Sequence, residues 1–199
     1  MKIALLNVLS KKEHQMVKGY QIAKGNTIFN EGDYCESIGV IVSGKIDIVS
    51  YSFEGKEQLI NSLIAGEIFG NNLIFSSDPT YRGNVVAKEK AVVAFINKDN
   101  LVYLLQNNQE FLSLYLKAQS DKAKALTARI QLLSFTNAEE RLFYYASKND
   151  GVIVFKNVTT LAATLGVQRE TLSRLLTVLV KKHQIKKEKG KITVLKKKR

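Results

Sequence analysis

The sequence predicts an α+β protein in which a β-sandwich or barrel precedes a long helix and a helix-turn-helix with a β-hairpin wing. Three observations predict this order. Residues 20–97 hold short runs rich in Ile and Val that are broken by glycine. Residues 109–133 follow a heptad pattern, and the last 60 residues combine helical periodicity with strong positive charge. The corresponding predicted domains are 1–108, 109–135 and 136–199.

The N-terminal segment MKIALLNVLSKKEHQMVKG is expected to form a helix. Its apolar stretch is short, a charged segment follows, and it lacks the small-residue cleavage site that ends a signal peptide. No run in the sequence approaches the ~18 apolar residues that a membrane-spanning helix needs. These features predict a cytoplasmic protein without a membrane partner.

Regular turn signals define the β-region. Gly32, Gly44, Gly55 and Gly66 recur every 11 or 12 residues, which is typical of a sandwich or barrel of short strands. The segment SFEGKEQ around Gly55 predicts a hairpin, and DPTY, which holds the only proline, predicts a turn. The run AVVAFI at 91–96 predicts a buried strand.

The pattern becomes helical from Lys98, where DNLVYLLQNN predicts a short helix, and a longer helix begins near Gln109. On the longer helix, residues separated alternately by four and three positions form an a/d heptad seam: Leu112, Leu116, Gln119, Ala123, Leu126, Ile130 and Leu133. A stripe this narrow favours a parallel two-fold pair of helices, with the apolar seam residues as the dimer interface. Packing of the seam on the β-region is the monomeric alternative.

The remaining residues predict a small helical domain. Thr136 has the spacing of a capping box, and Asn137 is a rival N-cap for the same helix. GVIVF predicts a strand, after which Asn157 is expected to cap the helix VTTLAATL and Gly166 to end it. The segment KKEKGKITVLKKKR predicts a basic hairpin about Gly190.

The positive charge is concentrated in this domain. Residues 1–139 hold 15 Lys and Arg against 14 Asp and Glu, whereas residues 140–199 hold 15 against 4. The net charge is therefore +1 in the first part and +11 in the second, out of +12 in total. This asymmetry predicts a polyanion-binding module joined to a neutral one. A solubilising tail, such as KKKR at 196–199, is the alternative, but it does not explain charges interleaved with a periodic helix pattern.

The stretch GVQRETLSRLLTVLVKKHQI predicts an amphipathic helix that contacts DNA. Leucines at helical spacing face a core, and four polar residues fall on the opposite side: Arg169, Glu170, Ser173 and Arg174. Arginine can donate two hydrogen bonds to guanine, and glutamate can accept one from cytosine. Gln168 and Thr171 lie near the helix N-terminus, where phosphate contacts form. The alternative is a solvated face with an i,i+4 ion pair between Glu170 and Arg174.

The order of a glycine-punctuated β-roll, a long helix and LAATLGVQRETLSRLLTVL resembles the cyclic-AMP receptor protein/FNR (Crp/Fnr) family of bacterial transcription regulators. GEIFG and RETLSR carry the resemblance, which covers nearly the whole chain. It implies a double-stranded β-helix (a jelly roll like cyclic-nucleotide-binding domains), a long dimerisation helix and a C-terminal winged helix-turn-helix. It also implies a homodimer that binds double-stranded DNA and RNA polymerase and is not an enzyme.

The resemblance implies specific roles for the recognition helix. Family members read the major groove with an Arg-Glu pair and an Arg four residues beyond the Glu, which correspond to Arg169, Glu170 and Arg174. Members with this pattern read a TGTGA-like half-site of a palindrome. Members that read TTGAT use Glu, Ser and Arg, and this helix also holds Ser173, so both half-sites stay open.

The resemblance further implies an effector site at Gly70, Asn71, Arg82, Gly83 and Thr127. Members that bind cyclic AMP carry GEL after the turn and an Arg-Ser pair some ten residues later. Here Asn71 replaces the Glu, and Arg82 comes one position late with Gly83 after it. A one-residue slip along a strand turns a side chain to the other face, although a gap in the loop would restore Arg82 to the pocket. The departures argue against cyclic AMP.

The sequence offers few side chains that could bind the other cofactors of the family. The single Cys35 excludes a four-thiolate iron–sulfur cluster, and the only histidines, His14 and His183, argue against haem. Residues 20–97 contain no histidine, which argues against a metal enzyme of the cupin type. The effector is thus an uncharged or organic-acid ligand, a partner protein, or absent. In the last case the alternative function is an effector-independent, weakly specific DNA-binding protein.

Overall fold

The computed structural model describes residues 4–195 of the 199-residue chain. The helices are α1 (Ala4–Asn7), α2 (Lys11–His14), α3 (Lys98–Asn107), α4 (Gln109–Ser134), α5 (Ala138–Ser147), α6 (Val158–Leu165) and α7 (Arg169–Lys181). The strands are β1 (Lys18–Ile22), β2 (Thr27–Phe29), β3 (Ser37–Ser43), β4 (Lys45–Tyr51), β5 (Glu57–Ile64), β6 (Ile68–Phe69), β7 (Asn84–Ala87), β8 (Ala91–Asn97), β9 (Val152–Val154), β10 (Ile185–Glu188) and β11 (Lys191–Val194).

The chain forms two compact units, the first ending at Asp121 and the second beginning at Lys122. This division falls inside α4, and the predicted limits of the three domains stay predictions. Among the described residues, no helix combines the length and the apolarity that crossing a membrane requires. The segment KKKR at 196–199 lies outside the described residues.

The first unit is a sandwich of two four-stranded antiparallel sheets, ordered β1-β8-β3-β6 and β2-β7-β4-β5. This strand order is that of a jelly roll and confirms the predicted β-roll. The hairpin predicted around Gly55 joins β4 to β5. Gly44 turns the chain from β3 to β4 with a φ of 84°, and a Cβ there would lie 2.5 Å from the carbonyl oxygen of Lys90. Side chains of both sheets fill the interior, including Ile38, Ile41, Ile46, Leu63 and Ile96.

The prediction of a single N-terminal helix was wrong. Two helices of four residues occur, and Ser10 separates them as the N-cap of α2. The Ser10 hydroxyl accepts from the backbone N–H of Glu13, and the Glu13 carboxylate accepts from the backbone N–H of Ser10. These reciprocal hydrogen bonds start a new helix and hold the pKa of the Glu13 carboxyl below its usual value.

The predicted helix from Gln109 is α4, which is 26 residues long. Its faces have different surroundings. Phe111 and Tyr115 are buried in the core of the first unit, and Leu132 is buried in the core of the second. Leu126 and Ile130 of the seam are exposed in the single chain.

The second unit packs α5, α6 and α7 against a three-stranded antiparallel sheet, ordered β10-β11-β9. This arrangement confirms the predicted winged helix-turn-helix, with β10 and β11 forming the hairpin about Gly190. Asn137, and not Thr136, is the N-cap of α5, because its side chain accepts from the backbone N–H of Glu140 at 2.8 Å. The hydroxyl of Thr136 instead donates to the Glu140 carboxylate.

Candidate nucleic-acid interface

The helix-turn-helix is built by capping at both ends of α6. The Asn157 side chain accepts from the backbone N–H of Thr160 at 2.8 Å and begins the helix, as predicted. Gly166 ends it in the left-handed region with a φ of 64°, which glycine adopts without a Cβ clash. The N–H of Val167 then donates to the carbonyl of Ala162 at 3.0 Å. The turn therefore releases the chain into α7 after three residues.

Helix α7 has one buried face and one polar face. Leu172, Leu176 and Leu179 are buried in the core of the second unit. The opposite face is solvent-exposed and carries the residues predicted to read bases: Arg169, Glu170, Ser173 and Arg174. At about 100° per residue, Glu170, Ser173 and Arg174 span about 100° of the helix surface, so they point in a common direction.

The charged tips on this face remain available to a ligand. Arg169 and Glu170 approach to 3.9 Å, but about two thirds of each side chain is exposed to solvent. Such a pair contributes little to stability and separates at low cost. The alternative ion pair between Glu170 and Arg174 is absent from the interactions of residues 4–195. The exposed face therefore presents two guanidinium groups and one carboxylate.

The two residues predicted to contact phosphate lie at the start of α7. Gln168 is the N-cap residue, and its side chain makes no capping hydrogen bond, so the first N–H groups of α7 keep their capacity to donate. Thr171 lines a shallow cleft of about 570 Å³ beside the start of α5. Glu139 and Glu140 line the same cleft, and their negative charge disfavours a phosphate next to Thr171.

Two exposed residues of the polar face were missed by the sequence analysis. Thr177 follows Ser173 by four positions, and Lys181 follows Arg174 by seven, so helical spacing alone would have found them. The wing adds exposed cations at Lys186, Lys187, Lys189 and Lys191. Lys186 pairs with Glu188 at 3.0 Å, and this contact holds the pKa of the Glu188 carboxyl below its usual value. The other cations leave the wing strongly positive.

The predicted effector residues occupy several different environments. Asn71 is buried, and its amide donates to the side-chain oxygen of Gln119 on α4. Gln119 in turn donates to the backbone carbonyl of Asn71 and to the hydroxyl of Tyr115, both at 3.0 Å. Gln119 was predicted to lie in the helix seam, and the structure instead orients its amide toward Asn71, in the segment after β6. Gly70 precedes Asn71 with a φ of 76°, and a Cβ there would lie 2.9 Å from the carbonyl oxygen of Ser37.

Arg82 and Gly83 precede β7 and face opposite sides of the chain. The Arg82 side chain is exposed and pairs with Asp78, whereas Gly83 is buried against Val49 and Ile60. Arg82 and Asn71 thus differ in exposure and in partner, since Asn71 is buried and bonded to Gln119. Thr127 lies in the second unit, where its hydroxyl donates to the backbone carbonyl of Ala123.

Cys35 is buried next to Gly70, one of the predicted effector residues. Its thiol lies 3.5 Å from the carbonyl oxygen of Gly70 and 3.6 Å from the hydroxyl of Tyr81. Burial raises the pKa of the Cys35 thiol, which keeps it protonated and weakly reactive. Within residues 4–195, no cluster of three His, Cys, Asp or Glu side chains is arranged to hold a metal ion.

Comparison with known proteins matches both units. Residues 21–108 match the family model of the cyclic nucleotide-binding domain, and residues 132–199 match that of the Crp-like helix-turn-helix domain. The cyclic AMP receptor protein of Thermus thermophilus is 25% identical over 183 residues, which cover 86% of this chain and 81% of that protein. The fumarate and nitrate reduction regulatory protein of Escherichia coli K12 is 30% identical over 167 residues, which cover 78% and 66% of the two chains.

The architecture also matches a solved structure. The catabolite activator protein of Thermus thermophilus superposes with a TM-score of 0.56 at 21% identity, covering 96% of this chain and 93% of that one. Identity at this level shows a shared fold. The order of β-roll, long helix and winged helix-turn-helix is therefore common to both chains.

Proposed function

Because the chain belongs to the Crp/Fnr family of DNA-binding transcription regulators, we propose that it acts as a homodimer on a palindromic site with TGTGA-like or TTGAT-like half-sites. We further propose that an effector in the β-roll gates this binding. RNA polymerase is the partner expected of such a regulator.

The polar face of α7 is the observation that carries this proposal. Arg169, Glu170 and Arg174 are exposed on a helix whose opposite face is held in the core, so they project rigidly from the domain. Their groups match major-groove edges, because arginine pairs with O6 and N7 of guanine and glutamate accepts from N4 of cytosine. Ser173, on the same face, accommodates the TTGAT-like alternative. The cations of the wing supply sequence-independent attraction to phosphates.

The exposed seam of α4 supports the homodimer. Leu116, Leu126, Ile130 and Leu133 are exposed in the single chain. A row of large aliphatic side chains at heptad spacing is stabilised when a second helix covers it. A two-fold axis along this seam would relate two recognition helices, which reach successive major grooves when their centres lie about 34 Å apart.

The residues at the predicted effector site argue against cyclic AMP as the effector. A cyclic nucleotide needs a cation for its phosphate and an acceptor for its ribose hydroxyl. Arg82 instead pairs with Asp78 at the surface, and the Asn71 amide is engaged by Gln119. The same engagement favours the second candidate, an effector-independent DNA-binding protein of weak specificity, because it supplies internal partners for Asn71.

A competition experiment tests the proposal and separates the two candidates. The full chain is titrated into a palindromic TGTGA-type duplex, a TTGAT-type duplex and a scrambled duplex at the same ~0.15 M salt. Specific recognition predicts a preference of roughly a thousandfold or more for one palindrome over the scrambled duplex. Equal binding to all three duplexes would leave the weakly specific candidate. Failure to bind any duplex would contradict both.

A further inference from the structure

The end of α6 is held by an arginine of α4. The guanidinium of Arg129 donates to the backbone carbonyl oxygens of Ala163, at 3.0 Å, and of Thr164. Both acceptors lie in the last turn of α6, where the helix supplies few N–H donors. The Ala163 carbonyl also accepts from the N–H of the C-cap residue Gly166, at 3.2 Å. The positive charge also meets the negative end of the helix dipole, which is a favourable arrangement.

A second arginine, on α5, also donates hydrogen bonds to the end of α6. Arg141 donates from Nε and both Nη atoms to carbonyl oxygens at the ends of two helices: Leu133 at 3.3 Å, Phe135 at 2.9 Å, Leu165 at 3.3 Å and Gly166 at 3.0 Å. The C-termini of α4 and α6 thus converge, and two guanidinium groups satisfy six carbonyl oxygens there. Two negative helix ends would repel each other without these cations.

The geometry of this junction is restrictive. A guanidinium group is a planar fork with fixed donor directions, so two bonds from one group define orientation as well as distance. The backbone at Gly166 also lies close to the Leu133 side chain, because a Cβ at Gly166 would lie 2.5 Å from Cδ2 of Leu133. These hydrogen bonds have defined directions. They therefore fix the position of the turn before α7 relative to the last turns of α4.

We infer that Arg129 and Arg141, together called the arginine latch, are positioning residues that set how the recognition helix is presented from the dimer helix. The inference rests on the proposed dimer, because Arg129 directly precedes the seam residue Ile130. Two copies of the latch would fix the separation of the two α7 helices. DNA binding would then depend on the latch through the spacing of half-sites, although neither arginine belongs to the polar face of α7.

Arg129 is the better residue to replace, because it is exposed whereas Arg141 is partly buried. Arg129→Met removes the donors and keeps an unbranched side chain with good helix propensity. The hydrophobic core of the second unit does not include Arg129, so the domain is expected to stay folded. Lys124→Met is the matched control, since it removes an exposed cation from the same helix.

The first arm measures affinity as a function of half-site spacing. The full chain is titrated into palindromic duplexes whose centres have the preferred length or one base pair more or fewer. The unsubstituted chain and Lys124→Met are expected to share one spacing preference. Loss of two charge-assisted hydrogen bonds should reduce that preference by about tenfold in Arg129→Met. An equal loss at every spacing, or no loss, would overturn the inference, because a general structural defect lowers all affinities alike.

The second arm measures the effect of the arginine latch on the turn before α7 in the absence of DNA. Amide hydrogen exchange is followed on the DNA-free proteins, and Arg129→Met is expected to exchange faster across 162–172 while the rest of the second unit is unchanged. Unchanged exchange in this segment would overturn the latch itself. If the unsubstituted chain bound no duplex, the proposed function would fail, yet this arm would still report whether Arg129 fixes the turn.

Discussion

Replacement of Ile130 by aspartate tests whether the seam of α4 is a subunit interface. Leu126 is 64% exposed and Ile130 is 69% exposed in the single chain, although both side chains are large and aliphatic. If the seam stays in water, Ile130→Asp exchanges one solvated side chain for another. The free energy of unfolding should then change by about 0.5 kcal/mol or less. If two chains pair along the seam, the same substitution places two carboxylates against apolar side chains.

The expected magnitude follows from these exposures. Full burial of a Leu or Ile side chain contributes about 1.5–3 kcal/mol relative to exposure. About two thirds of each side chain is still exposed, so pairing makes about 1–2 kcal/mol available per residue, or about 4–8 kcal/mol from Leu126 and Ile130 of both chains. Losing the Ile130 share removes about 2–4 kcal/mol, and burial of two carboxylates adds a further cost. The dimer Kd should rise by at least about 100-fold.

Sedimentation equilibrium of the full chain at micromolar concentration measures this change, with far-UV circular dichroism as a check on folding. Ala128→Asp is the matched control, because it adds the same charge to an exposed position of α4 outside the heptad seam. The unsubstituted chain and Ala128→Asp should sediment as dimers, and Ile130→Asp as a folded monomer. Adding Leu126→Asp should complete the dissociation. A dimer mass retained by the double variant would refute the reasoning, as would a monomer mass for the unsubstituted chain.

Three further substitutions or measurements test other parts of the molecule. Arg169→Ala should weaken binding to the preferred palindrome by about 1–3 kcal/mol and relax base choice at one position. Lys187→Ala should instead weaken binding to all duplexes alike. If duplex titrations showed that Arg169→Ala also lost the same affinity for every duplex, Arg169 would contact phosphate and not a base. Gly44→Ala should destabilise the first unit by about 2–5 kcal/mol, since about 1–2 kcal/mol of backbone strain adds to overlap with the Lys90 carbonyl. Gly55→Ala has a φ of 75° but open space, so it should show the strain alone, and matching urea midpoints for the two variants would contradict the steric argument. The Cys35 thiol should react with a maleimide only as fast as the first unit opens, because the thiol is buried and its pKa is raised. Rapid labelling of the native protein would contradict this expectation and show an accessible thiol.

Local patterns in the sequence predicted much of the fold because they have local causes. The period of Leu172, Leu176 and Leu179 identified the buried face of α7, and the polar face followed from it. Gly166 was recognisable because a helix end in the left-handed region favours glycine. One error was also local, because a capping box at Ser10 divides the N-terminal segment. The choice between Thr136 and Asn137 as the N-cap of α5 had stayed open, and the structure decides it for Asn137. Sequence spacing does not decide such competitions.

Long-range partners were beyond the reach of sequence patterns. Periodicity shows which residues of α4 share a face, but it does not show which neighbour covers that face. Gln119 has seam spacing, yet its amide engages Asn71, 48 positions earlier. Arg129 reads as a solvated cation, yet it donates to carbonyl groups 34 and 35 positions later. Both contacts depend on how distant elements pack, and the sequence alone carries no signal for them.

The contact between Asn71 and Gln119 constrains any effector that acts at this position. The Asn71 side-chain amide donates to the side-chain oxygen of Gln119, and the Gln119 amide donates to the backbone carbonyl of Asn71 and to the Tyr115 hydroxyl, both at 3.0 Å. A ligand that separates them must offer acceptors to the two side-chain NH2 groups and donors to the Gln119 side-chain oxygen and the Asn71 backbone carbonyl. An unpaired buried polar group costs about 1–3 kcal/mol. An anion supplies acceptors alone and offers no donor to the side-chain oxygen of Gln119 or to the backbone carbonyl of Asn71. An uncharged ligand with amide-like or hydroxyl groups matches the position better, and it would shift the equilibrium only by its differential affinity for the separated state.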